Sequence, residues 1–159
     1  INSGFSENIA THSGGALSFN VVAQSVIMNC TFYCNKALIF IGGGGALKIY
    51  KGTVFRVSQC RFKLNKPSSG GAIESIRGKD IHILSTLFQQ NSASWRGDGA
   101  VNLFHTKSVY VIGSLYIANL VKTDGGAIRV FESFDFEILR TVFLQNKAEV
   151  VHCLSIPVL

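Results

Sequence analysis

The sequence predicts an all-β fold: a right-handed single-stranded parallel β-helix of about five coils. Three observations predict it. A Gly-Ala signal recurs at Gly14-Gly15-Ala16, Gly44-Gly45-Ala46, Gly70-Gly71-Ala72, Asp98-Gly99-Ala100 and Gly125-Gly126-Ala127, each followed by Leu, Ile or Val. An aromatic-x-x-Asn signal recurs at Phe5 and Asn8, Phe32 and Asn35, Phe62 and Asn65, Phe88 and Asn91, Tyr116 and Asn119, and Phe143 and Asn146. The two signals alternate without a miss, and their spacing is rigid on one side only. From alanine to the next aromatic is 16 residues in every coil, whereas from asparagine to the next alanine is 8, 11, 7, 9 and 8. Such a sequence holds one fixed module and one loop that takes insertions.

Three short strands are legible in the fixed module. The first follows the alanine. Its first and third positions are Leu17 and Phe19, Leu47 and Ile49, Ile73 and Ser75, Val101 and Leu103, Ile128 and Val130. Between them stand Ser18, Lys48, Glu74, Asn102 and Arg129, so the period is that of a half-buried strand with a polar outer row. The second strand pairs Phe55 with Val57, Ile81 with Ile83, Val109 with Val111 and Phe136 with Ile138, and the first coil has Ser25 and Ile27 there. The third places Cys30, Cys60, Thr86, Ser114 and Thr141 two residues before an inward aromatic. No such strand buries a face alone, so each must stack on its counterpart in the next coil, about 4.8 Å away.

Each repeated residue has a physical task. The turn residues Gly15, Gly45, Gly71, Gly99 and Gly126 are expected to turn the backbone tightly with positive φ, and Ala16, Ala46, Ala72, Ala100 and Ala127 fit where the wall bends. The aromatics are expected to stack through the core. The asparagines are expected to form a ladder at the next bend, tolerating left-handed backbone there. The coils occupy about residues 14–40, 41–68, 69–96, 97–122 and 123–150, with partial coils at 1–13 and 151–159. Both ends therefore read as cut through a longer array. Cys153-Leu154-Ser155-Ile156 reads as the start of a sixth coil, and uncapped ends are expected to aggregate or stack end to end.

Composition fits this reading. Hydrophobic residues make up 47% and charged residues 15%, which excludes disorder. A helical alternative lacks apolar residues at three and four spacing, and a propeller blade is longer than the 26 to 30 residues of this period. The longest apolar uncharged run, 37–47, is too short to span a bilayer, which needs roughly 18 residues or more. The net charge of +6 is modest, so nucleic acid is not an expected partner.

The paired motifs Gly-Gly-Ala-(Ile/Leu/Val) and Phe-x-x-Asn, repeated along essentially the whole chain, resemble those of the chlamydial polymorphic outer membrane proteins. Similar repeats occur in large surface β-helix proteins of other bacteria and of protists. Asp98 and Tyr116 depart from the pattern. The resemblance implies an autotransporter-like passenger segment acting as an adhesin. It also implies an extracellular or cell-surface location, with neighbouring coils of the same chain and a host-surface protein or glycan as partners.

Residues able to carry chemistry are scattered. A polysaccharide lyase or hydrolase on this fold needs clustered carboxylates. Asp98 and Asp124, in neighbouring loops before the Gly-Ala turn, are the best-placed pair, and could share a calcium ion. An Asp that starts a turn before Gly is the commoner case. His12, His82, His105 and His152 fall at different repeat positions, so no metal set is expected. Cys30 and Cys60 are expected to stack inward as free thiols, with Cys153 apart from both. Arg56, Arg61, Lys63 and Lys66 crowd one coil and suit a polyanion or a solvated edge, and Asn29-Cys30-Thr31 is a glycosylation sequon. The longest loop, 36–45, and its counterparts should project from one edge and carry any binding. The chain is therefore read as a non-enzymatic structural or adhesive array without cofactor. The rivals are a carbohydrate-active enzyme and a scaffold component of a surface filament.

Overall fold

The computed structural model describes residues 1–38, 43–68, 70–94, 99–123 and 125–149. The described chain is an all-β parallel solenoid, and every strand pairing is parallel. Each coil contributes four strands where the sequence suggests three. The alanine sheet runs through Leu17–Asn20, Leu47–Tyr50, Ile73–Ile76, Val101–Phe104 and Ile128–Phe131. The middle sheet runs through Ser25–Met28, Thr53–Ser58, Lys79–Leu84, Lys107–Ile112 and Phe134–Leu139. The aromatic sheet has six strands, from Gly4–Ser6 to Val142–Leu144.

The fourth sheet follows the asparagines, and its strands are only two residues long. They are Ile9–Ala10, Lys36–Ala37 and Lys66–Pro67, then Ser92–Ala93, Leu120–Val121 and Lys147–Ala148. The sheet breaks into two three-stranded pieces between Lys66–Pro67 and Ser92–Ala93. The break falls at Pro67, which has no N–H to give to a ladder.

Register is uniform, so like residues lie over like residues. Phe32 pairs with Phe62, and Phe62 with Phe88. From Phe5 to Phe143 the six inward rings stack nearly face to face, with centroids 4.8, 4.5, 5.0, 4.7 and 5.0 Å apart and tilts of 17° or less. The strand spacing sets that distance. Phe32, Phe62 and Phe88 are fully buried, each worth about 1.5–3 kcal/mol of hydrophobic stabilisation. Phe55, Val57, Ile81, Ile83, Val109 and Val111 of the middle sheet complete the core with Leu47, Ile49, Ile73 and Leu103.

The asparagines form a closed hydrogen-bond ladder. The Asn65 carbonyl oxygen accepts from both the backbone N–H and the side-chain amide of Asn35, each at 3.0 Å. The Asn65 amide nitrogen donates to the Phe32 carbonyl at 3.0 Å and to Asn91 Oδ1 at 3.0 Å. All four bonds of a buried amide are thus made. Asn91 and Asn119 repeat the arrangement.

Two details of backbone conformation differ from the expectation. The left-handed residue of this bend is the one before the asparagine: Cys34, Leu64, Gln90, Ala118 and Gln145 have φ between 50° and 57°. The asparagine holds the bend from inside, and its neighbour takes the strain. At the Gly-Ala turn the positive φ belongs to the first glycine, such as Gly44 at 68°, and not to the second. The second glycine is required for space. A Cβ on Gly71 would stand 2.3 Å from the Ala100 carbonyl oxygen of the next coil.

Candidate functional site

With the interior filled by ladders, chemistry must come from outward side chains and loops. Asp98 and Asp124 lie outside the described residues, as do His152, Cys153 and loop positions 39–42, 69 and 95–97. Among the described residues no three metal-capable side chains converge. His82 lies on the outer face of the middle sheet, stacked on Tyr110 at 5.0 Å. Partial burial, then the nearby Arg56, lowers its pKa. His105 instead reaches Glu132, with Nδ1 3.0 Å from Oε2.

The thiols take part in a second hydrogen-bonded ladder, beside that of the asparagines. Cys30 and Cys60 are buried and unpaired by disulfide. The Cys60 thiol donates to the Ser58 carbonyl at 3.1 Å and receives the Cys30 N–H at 3.4 Å. Thr86 and Ser114 do the same with hydroxyls: Thr86 donates to the Leu84 carbonyl, and its N–H goes to Ser114 Oγ at 3.2 Å. The column therefore needs a small group that donates two residues back along the chain and accepts from the coil before. Burial raises the Cys60 pKa, so it sits as a neutral thiol. Asn29 of the sequon is exposed at the adjoining bend and donates to Asn2 Oδ1 at 3.0 Å.

The polar row of the alanine sheet is less open than its alternation implies. Ser18, Lys48, Glu74, Asn102 and Arg129 stack in register, but Glu74 and Asn102 are only 5% and 6% exposed. Glu74 accepts from the Gly43 backbone N–H at 2.7 Å, from Lys48 Nζ at 3.2 Å and from Asn102 Nδ2 at 3.2 Å. Gly43 thus ties down the carboxylate of the sheet beneath it. Nothing in the local period announces that contact.

The four basic residues crowded in one coil do not make one site. Arg56 is on the middle sheet, Arg61 and Lys63 are on the aromatic sheet, and Lys66 is on the short fourth strand, so they point from successive faces. Lys66 instead pairs in register with Lys36 of the preceding coil. The face they share holds a groove of about 300 Å³ reaching on to Lys122 and Glu149. Reading the residue after each ladder asparagine down the column, Ile9, Lys36, Lys66, Ser92, Leu120, Lys147, would have revealed this from sequence.

The chain is 29% identical over 140 residues to metabotropic glutamate receptor-like protein R of Dictyostelium discoideum. The match takes in 88% of this chain and 8% of that protein. No family profile matches the chain, and no solved structure does. Among the described residues no helix is long and apolar enough to cross a membrane.

Proposed function

We propose that this chain is a non-catalytic structural and adhesive segment of a large extracellular or cell-surface protein. The observation that carries this reading is the division of labour in the coil. Inward positions are committed to ladders that join one coil to the next, while outward positions change type from coil to coil, as in the Val26, Arg56, His82, Tyr110, Glu137 column of the middle sheet. A rigid rod with a variable surface suits presentation to a partner. The match within a receptor-like protein, of which it spans 8%, supports placement in a long surface chain. The motif resemblance to autotransporter passengers supports adhesion to a host-surface protein or glycan.

The test is adhesion of beads carrying the 159-residue chain to cells, beside release of reducing ends from uronate and neutral polysaccharides. The reading expects saturable attachment and no turnover. Turnover that disappears on Asp98→Asn or Asp124→Asn would replace it with a carbohydrate-active enzyme.

A further inference from the structure

We propose that the groove along the short-strand face binds an anionic polysaccharide, running along the solenoid axis across successive coils. The inference deepens the adhesive reading and rests on it only in taking the ligand to be a surface glycan. In Lys36–Ala37 and Lys66–Pro67 the second residue is buried, so both lysines face outward. Parallel register then places one lysine over the other on strands about 4.8 Å apart, a like-charge arrangement that costs stability unless something anionic lies across it. Lys122 adds a third ammonium two coils further on, roughly 10 Å along the axis at that spacing.

None of these three lysines makes an ion pair with a described residue. Lys48, by contrast, is matched to Glu74. Ser68, Ser92 and Ser94 also line the groove, the Ser68 hydroxyl donating to the Ala37 carbonyl of the coil before, and Pro67 and Ala93 give a low floor. Among the described lining residues the one carboxylate is Glu149, at the far end beside Lys122. Exposed lysines spaced along an open trough that also carries serines match a sugar polymer whose sulfates or carboxylates alternate with hydroxyl groups. Among the described residues no aromatic ring lines the groove.

The test tethers the chain at low density on a sensor surface, so that self-association does not enter. It is titrated with a heparin-derived oligosaccharide, an oligogalacturonate, neutral dextran and a short DNA duplex. The expected result is binding of at least one anionic oligosaccharide, weakening steeply as salt is raised, with no dextran binding. The double variant Lys36→Glu/Lys66→Glu should lose at least about tenfold in affinity, since two attractive contacts become repulsive. Lys79 and Lys107 are exposed and stacked in register on the middle sheet, which makes them the charge-matched control. Lys79→Glu/Lys107→Glu should change affinity less than about twofold if the effect is local. Absence of binding to both anionic oligosaccharides overturns the proposal. So does equal loss in the two double variants, or duplex DNA binding as tightly as the glycan. Bead adhesion separates this proposal from the reading beneath it. Attachment that survives enzymatic removal of cell-surface glycans sinks the groove and leaves adhesion standing. Glycan binding without cell attachment does the reverse.

Discussion

The two bends that flank the short strand are built by different means. At the asparagine bend a side chain does the work: Asn65 satisfies the Asn35 N–H and the Phe32 carbonyl of the preceding coil and donates to the Asn91 side chain of the next. At the glycine bend the backbone works alone, with Gly44 at positive φ and Gly71 packed against the next coil's carbonyl. The lengths of chain differ accordingly. The stretch from glycine turn to asparagine never varies, whereas the stretch leaving the asparagine takes between 7 and 11 residues to reach the next alanine. A side-chain ladder demands register at every step, so an added residue would break a column of bonds. A backbone turn at the end of a loop demands only that the glycines arrive.

The largest expected effect comes from breaking the side-chain bend. Asn91→Ala removes an amide that makes four bonds and leaves the Asn65 N–H without its partner. The expected cost is about 4 kcal/mol, read by chemical denaturation. Gly71→Ala attacks the other bend. Its Cβ would meet a backbone oxygen that cannot rotate away, so the coils must shift, and the expected loss is about 2–3 kcal/mol. A Gly71→Ala chain as stable as the parent would show that the glycine bend has more play than the contact implies.

A gain is expected at Tyr116, the one ring of the stack that is not phenylalanine. Its hydroxyl is buried without a hydrogen-bond partner, and that burial raises its pKa. Tyr116→Phe removes the orphan group while keeping the 4.7 and 5.0 Å stacking contacts. It should stabilise by about 1 kcal/mol, visible as a rise in melting temperature.

The smallest effect is expected at Cys60. Cys60→Ser keeps the donor and acceptor of its column and should stay within about 1 kcal/mol of the parent at neutral pH. It should also remove a pH dependence. Because burial holds the folded thiol above its ordinary pKa, the unfolded chain loses the proton first as pH rises past about 8.5. Stability should therefore fall with rising pH above that point, and fall less in Cys60→Ser. Equal slopes for the two chains would count against the buried neutral thiol.

Much of this was legible in the sequence because the repeat copies each inward position five or six times. The columns of Phe32, Asn35 and Ala46 announce themselves by recurrence, and three of the four sheets follow from the period-two alternation around them. The fourth sheet did not, because two residues such as Lys36–Ala37 are too few to display a period. The left-handed residues were misplaced by one position because Leu64, Gln90 and Ala118 share no chemistry. Their conformation is imposed by the asparagine that follows. The cover over Glu74 comes from the backbone of Gly43, 31 residues earlier in sequence, which no local period signals. The lysine groove depends on Lys36 and Lys66 being 30 residues apart in sequence and one coil apart in space.

The central claim is that register is enforced by the ladders and released after the asparagine. Single-alanine insertion at each position of one coil, from Asn35 to Asn65, with unfolding free energy as the readout, tests it most directly. Insertions between Leu38 and Gly43 should cost less than about 1 kcal/mol, since loop closure depends weakly on length. Insertions between Ala46 and Asn65 should abolish cooperative folding, because each moves inward residues to the outside of a strand. A flat profile, with comparable losses in both stretches, would contradict the account.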